Sequence, residues 1–451
     1  MQRNKIFILA VLVSVNCIWS FAENALTLDS CLSLARRNNK ELLCAKLDIE
    51  KAQQVKKQAF TKYFPQVKAA AVGFHSLHPL AEIGIDDIGN ASARDLLTAL
   101  YGNYGAALGI ENTVSLFQYG YQVGVTALQP VYMGGKIVKG NQLANVGIEA
   151  AQLQAEIAER DLLEQVEESY WLVVGLTEKQ KTLHTIAALL DTVHHTVKTA
   201  VNAGLTLQTD LLQVELRQSE IQRTQIQLDN GLALARRALC QSIGIEYDNN
   251  LQTCDEKPTA DEIPMAGQSE KMTSEEKLLS LQVDAATLER SMTIADALPQ
   301  IAIGAHYGYG KLQTNLLRDD IGNPTGNGAV FVSVSVPITT WWENGHKIRE
   351  KNIALQQARL RQEQTGELLA IRTQQAYDKM VETYLLVGEN RHAAKIAREN
   401  YRLSGVNYRA GTNTISDLLT AQAALLRAQN DLTDALIAYR VSARRYHDLT
   451  K

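Results

Sequence analysis

Two carboxylates stand at matching places in a stretch that the chain makes twice. "NAGLTLQTDLL" (Asn202–Leu212) and "RAGTNTISDLL" (Arg409–Leu419) align without a gap, so Gly204 matches Gly411 and Asp210 matches Asp417. Each stretch interrupts a long run of good helix formers with a glycine, which disfavours continued helix and tolerates a reversal. Asp210 and Asp417, with Thr209 and Ser416 beside them, then suit the first turn of a returning helix, where a carboxylate meets the positive end of the helix dipole. Other groups offer less. His184, His194 and His195 read as a solvated helix face, and "GAHYGYG" (Gly304–Gly310) lies in a strand pattern and opens no helix, so it is no phosphate loop. No nucleophile–base pair, metal motif or nucleotide fingerprint stands out, so neither an enzyme nor a cofactor is expected.

The elements that must position these residues begin with an export signal. Arg3 and Lys5 precede an apolar run from Ile6 to Val15, and Ser20-Phe21-Ala22 offers small residues for cleavage. Residues 1–22 therefore read as a cleaved signal peptide, too short to span a membrane. Cys17 would suit a lipoprotein, but Asn16 stands before it where a small residue is expected. Loss of the leader takes the net charge from −4 to −6, a mild value with no basic stripe, which argues against a nucleic-acid partner. No later segment is apolar enough for a spanning helix. Cys31 and Cys44 would lie about 20 Å apart on one helix. Cys240 and Cys254 could pair in an oxidising compartment, or could be two buried thiols.

Prolines punctuate the rest. None occurs between Val131 and Lys257 or after Pro337, and both spans show apolar residues at alternating steps of three and four. Leu163, Val166, Tyr170 and Val173 form one such series; Leu425, Ala428, Leu432, Ala435 and Tyr439 form another. This is a coiled-coil seam. Two long helical hairpins are expected, about 137–243 and about 346–446, each divided once at the Ala-Gly break. Ahead of each hairpin, strands of period two are expected at about 64–75 and 118–132, then at about 299–311 and 328–340. In "PQIAIGAHYGYG" Ile301, Ile303, Ala305, Tyr307 and Tyr309 share one face, whereas His306 shares the other with small residues. Lys68 and His306 would then line an interior, by strand parity alone. Glycine corners follow at Met133–Lys136 and Asn344–Lys347.

The chain is therefore a duplication. A first repeat at 23–245 (short helix, two strands, hairpin) is joined by a linker at 246–271 to a second at 272–451. Four strands with a continuous apolar face suit a membrane barrel but cannot close one, and open edges are not tolerated in lipid. Pooled among three chains they give twelve strands around a lumen. The fold class expected is thus a mixed α/β membrane protein: a trimeric α-barrel of long antiparallel helices topped by a 12-stranded β-barrel. Trp341 and Trp342, where strand becomes helix, would suit an interfacial aromatic belt, or equally ordinary packing at a corner. A periplasmic coiled-coil scaffold is the rival of another class; it leaves the four strands and the duplication without a reason.

The signal peptide, the two repeats, the strand-proline-glycine corners and the twice-made Ala-Gly…Asp-Leu-Leu break together resemble the TolC-type outer-membrane efflux proteins, over essentially the whole mature chain. The resemblance implies a homotrimer in the outer membrane with a long periplasmic extension. It implies an exit duct for small toxic molecules, joined through a periplasmic adaptor to an inner-membrane transporter; a duct for protein secretion is the alternative. By the same resemblance Ala203, Gly204 and Leu205, with Ala410, Gly411 and Thr412, are the turns that meet the adaptor. Thr209, Asp210 and Tyr408 fall where a closed aperture is held, and Asp417 where an acidic ring selects cations. Two positions depart from the pattern: Asn413 stands where an arginine would complete the clamp, and Thr420 where a second aspartate would stand. A neutral contact is weaker than a charge-assisted one, so a loosely held aperture is expected.

Overall fold

The computed structural model describes residues 25–78, 81–105, 113–247, 252–253, 272–314, 325–338 and 341–450. The signal-peptide reading and Cys254 lie outside them. In chain order the elements are β1 (Ala25–Leu26), α1 (Leu28–Asn38), α2 (Lys40–Phe60), β2 (Gln66–His75), β3 (Ala81–Gly84), α3 (Ala91–Leu100), β4 (Thr113–Tyr132), α4 (Lys136–Asn202) and α5 (Gln208–Ile243). They continue with β5 (Gln252–Thr253), α6 (Ser274–Ala295), β6 (Gln300–Thr314), β7 (Thr325–Ser335), α7 (Trp341–Arg409) and α8 (Ile415–Thr450). Among the described residues no helix is long and apolar enough to cross a membrane. The chain divides into two compact units: one of residues 1–50, 149–281 and 360–451, the other of residues 51–148 and 282–359.

The first unit is helical. The coiled-coil seam is buried in it: Val166 and Val173 on α4 have no exposed surface, and Tyr439 on α8 keeps 2 %. Val166 and Val173 pack with Leu239 and Ile243 of α5, and with Cys31 and Ala35 of α1. A separate core pairs Met380 and Val387 of α7 with Tyr439 and Tyr446 of α8, and the hydroxyls of Thr383 and Ser442 satisfy each other inside it at 2.7 Å. At about 1.5–3 kcal/mol per fully buried large side chain, these seams rather than helix propensity hold the hairpins. Gly175 lets α4 approach α8, since a Cβ there would lie 2.1 Å from Ile437 Cδ1.

The short helix expected at the start of the first repeat is two helices. Asn39 divides it: its Oδ1 accepts from the amides of Glu41 (2.8 Å) and Leu42 (3.2 Å), capping α2, while its Nδ2 donates to the Ser242 carbonyl at 2.9 Å. Cys31 and Cys44 therefore sit on different helices.

The second unit carries the strands. β2, β4, β6 and β7 lie side by side in that order, all antiparallel, and β3 adds a short pairing to β4. The register places Lys68 opposite Thr126, Thr126 opposite His306, and His306 opposite Ala329. One face exposes Val67, Val123, Val125, Ile303, Tyr307 and Val332; Pro130 is accommodated at an irregularity of β4 beside Tyr132. Between the strands expected at about 64–75 and 118–132 the chain contains β3, a turn of 3-10 helix (Ile85–Asp87) and α3, and β4 begins already at Thr113.

The two corners differ from each other. Gly134 and Gly135 have φ of +63° and +84° and turn the chain into α4, with a Lys136–Asp296 ion pair at 2.5 Å beneath. In the second repeat no corner forms at Asn344–Lys347. The strand expected to reach 340 ends at Ser335, ahead of Pro337, and the helix expected from 346 begins at Trp341. Glu343 and Lys347 pair at 2.6 Å across its first turn, so Gly345 is simply helical. Trp342 on this turn is 82 % exposed.

Candidate functional site

Two five-residue turns, 203–207 between α4 and α5 and 410–414 between α7 and α8, make the same reversal. Gly204 and Gly411 have φ of +71° and +73°. Each helix closes with the same crossed pair of backbone bonds: Gly204 to the Val201 carbonyl and Leu205 to that of Ala200, both at 2.9 Å; Gly411 to Tyr408 and Thr412 to Asn407, both at 3.0 Å. This is the Schellman closure, and it requires the left-handed residue that glycine supplies. Beneath the turns a shared core draws on all four helices, with Val197, Val214, Ile415 and Leu418 buried and Tyr401 and Tyr408 packed against it.

The returning helices start differently. Asp210 and Asp417 do lie in the first turns of α5 and α8. Thr414, not Ser416, caps α8: its Oγ1 accepts from the Asp417 amide at 3.2 Å. Asp417 Oδ2 in return accepts from the Thr414 amide at 3.0 Å and from Thr414 Oγ1 at 2.7 Å. These bonds hold the Asp417 carboxyl below the usual carboxylate range, the hydroxyl contributing most and the amide next. In the first turn the matching residue is Leu207, which has no side-chain acceptor, and α5 lacks a side-chain cap. Thr206 donates to Asp210 Oδ2 at 2.5 Å instead.

The other expected residues divide. Tyr408 is half-buried in the last turn of α7, and its phenol is pushed up by burial and then by the negative charge of Asp210, so the two are electrostatic neighbours. They share no hydrogen bond within one chain. Asn413 is half-buried beside the cap. Thr209, expected among the acceptors, is exposed and makes no side-chain hydrogen bond among the described residues. Thr420 bonds to its own helix through the Ser416 carbonyl at 2.8 Å. Ala203, Leu205, Ala410 and Thr412 are all exposed, with Leu205 at 81 % and Leu207 at 69 %.

Two residues of the site escaped the sequence reading. Thr206 donates to Asp210 four positions ahead, and only its hydroxyl-x-x-x-carboxylate spacing signals it. Arg217 lines a cleft of about 320 Å³ between α5 and α8 that also holds Ser416 and Thr420, and it pairs with Glu220 at 2.6 Å. The Arg217–Glu220 spacing reads in sequence as an ordinary helix-surface pair, which hides the cleft.

The arrangement is a pair of glycine-closed, partly apolar turns, each with an aspartate in the first turn of the returning helix, and it holds no catalytic constellation among the described residues. Residues 31–245 and 279–445 match the protein family described as outer membrane efflux protein. No curated protein matches by sequence. Among solved structures, a membrane protein from Pseudomonas aeruginosa superposes with a TM-score of 0.77 at 14% identity, covering 96% of this chain and 93% of that one. The Campylobacter jejuni CmeC outer membrane channel superposes at 0.73 with 14% identity, covering 94% and 85%. The open-state Neisseria gonorrhoeae MtrE outer membrane channel gives 0.69 at 18% identity, covering 94% and 88%. At these identities the likeness is one of fold.

Proposed function

The chain belongs to the outer membrane efflux protein family, and on that premise we propose that three copies pool their sheets into one twelve-stranded barrel that forms the exit duct of a tripartite efflux system. The observation that carries this is the sheet itself. Among the described residues its outer strands, β2 and β7, each pair on one side only, while one face exposes valine, isoleucine and tyrosine. An unpaired edge beside an apolar face is unstable in lipid, and pairing β7 of one copy with β2 of the next satisfies both edges at once. The helical unit extends into the periplasm. Trp342 stands at the strand-to-helix passage, where an indole suits the membrane interface; Trp341 is its neighbour in sequence.

The tips are then the periplasmic end. The exposed turns 203–205 and 410–412 meet a periplasmic adaptor, which joins the duct to an inner-membrane transporter, and small toxic molecules are the cargo. Thr209, Asp210, Tyr408, Asn413 and Asp417 border the aperture. The Tyr408–Asp210 proximity supports this reading, because a tyrosine hydroxyl close to a carboxylate can lock or release with small helix shifts. With Asn413 in place of a cation, the lock has no charge-assisted partner at that position.

The test is extraction and mass. The full chain should resist salt, require detergent, and measure as a trimer by native mass spectrometry in detergent. A monomer released by salt would sink the proposal and favour a scaffold.

A further inference from the structure

Among the described side chains of β2, β4, β6 and β7, the polar face of the sheet carries Lys68 and His306 and no carboxylate. Cross-strand partners point to one side, so the register aligns Lys68 of β2, Thr126 of β4, His306 of β6 and Ala329 of β7 in one row. The hydrogen bond at 2.9 Å between Thr126 Oγ1 and His306 Nδ1 fixes the side on which this row lies. The imidazole rests in a notch of glycines: a Cβ on Gly124 would lie 2.8 Å from His306 Cε1, and one on Gly308 would lie 2.8 Å from His306 Nε2. The ring is therefore laid along the wall. Lys68 is exposed, and Ala70, Val72 and Phe74 follow it on that side of β2.

The rest of this face is neutral. Along β2 it presents Gln66, Lys68, Ala70, Val72 and Phe74; along β4, Gln122, Thr126 and Leu128 with Gly120 and Gly124. Along β6 and β7 it presents His306, Asn327, Phe331 and Ser333 among small residues. No aspartate or glutamate occurs at these positions. The carboxylate nearest to Lys68 in sequence, Glu82, lies in β3 opposite Ser115, and Asp296 precedes β6 and pairs with Lys136. The opposite face is the apolar one, so this is the face a barrel turns toward its lumen.

We propose that Lys68, repeated once per copy and flanked by the wall-bound His306, makes the barrel section of the duct attract anions, opposite in sign to the carboxylates Asp210 and Asp417 at the tips. This rests on the pooled-barrel reading above. Fixed charges on a pore wall concentrate counter-ions within about a Debye length, roughly 10 Å at 0.1 M salt and 3 Å at 1 M. Lys68 is on an edge strand, so its closest neighbour from the next copy would be a residue of β7, whose inward positions carry no acid. The charge would not be neutralised at that junction. Anionic cargo would therefore be drawn through the barrel section after passing the acidic tips.

The experiment is reversal potential in planar bilayers under a KCl gradient, with full-length wild type, Lys68→Gln, Lys68→Glu and Asp417→Asn. Lys68→Gln should lower the chloride-to-potassium permeability ratio by about twofold or more, Lys68→Glu should lower it further, and Asp417→Asn should raise it. The Lys68 effects should shrink when mean salt rises from 0.1 M to 1 M. Lys68→Arg, which keeps the charge, should match wild type and serves as the control for folding and insertion. If wild type conducts but Lys68→Glu leaves the ratio unchanged, the inference falls alone. If wild type inserts as a monomer or does not conduct, the pooled-barrel reading falls and takes the inference with it.

Discussion

Thr414 and Asp417 cap each other: the Asp417 carboxylate takes both the amide and the hydroxyl of Thr414, and the Thr414 hydroxyl takes the Asp417 amide. The first turn of the returning α5 has Leu207 at the same place and lacks this pair. One duplicated turn is thus capped and its twin is not.

Removal of the cap should loosen the second tip. Thr414→Ala should destabilise the start of α8 by about 1 kcal/mol, and Leu207→Thr should strengthen the start of α5 by a similar amount. Amide hydrogen exchange at residues 414–418 and 207–211 reads both. Equal protection of the two tips in wild type would contradict the asymmetry. The cap also has a pH dependence. Folding lowers the Asp417 carboxyl, so its contribution is present above the unfolded value and lost as pH falls through the folded one. Protection at the second tip, taken relative to the intrinsic exchange rate at each pH, should therefore fall on acidification, and Asp417→Asn should remove that fall.

Gly411 should resist substitution for reasons of backbone alone. No atom lies within 4 Å of a Cβ built there, so space is free, but φ is +73°. Gly411→Ala should cost about 1–2 kcal/mol locally, and Gly411→Asn less, because asparagine tolerates the left-handed region. Loss of protection at the Gly411 and Thr412 amides measures this; an alanine variant as protected as wild type would refute it.

The aperture reading predicts conductance. Tyr408→Phe combined with Asp210→Ala should raise single-channel conductance by about twofold or more, and Asn413→Arg should lower it by adding a charge-assisted partner. An unchanged double variant would remove Tyr408 and Asp210 from any lock.

Cysteine reactivity should separate sharply. Burial pushes the Cys31 thiol up to about 12, with Cys240 adding to the effect, whereas Cys44 is exposed. Since the thiolate is the nucleophile, Cys31 at pH 8 should alkylate about a thousandfold more slowly than an ordinary thiol. Peptide mapping after brief alkylation should find Cys44 modified and Cys31 intact until the protein is denatured.

The gross plan was legible because it rests on local rules. Seam residues such as Val166, Val173 and Tyr439 announce a coiled coil through spacing alone, and the alternation from Ile301 to Tyr309 announces a strand with one apolar face. Gly204 and Gly411 announce the turns because few other residues accept their φ. Duplication doubled each signal. The positions of Asp210 and Asp417 in the first helical turns followed from the same local chemistry.

What needed three dimensions was partnership. Nothing in sequence tells Thr414 from Ser416 as the cap, since either hydroxyl could serve and only the register of the turn selects one. Asn39 reads as an ordinary helix residue until the Ser242 carbonyl is seen to hold its amide. Trp341 and Gly345 show no sign that the helix starts early in the second repeat, because that depends on where Pro337 halts the strand. The sequence also set Lys68 and His306 on one parity, yet their common row with Thr126 is a matter of register between strands far apart in the chain. Local preference is written residue by residue, whereas register and contact come from the packing of distant segments, which no single segment specifies.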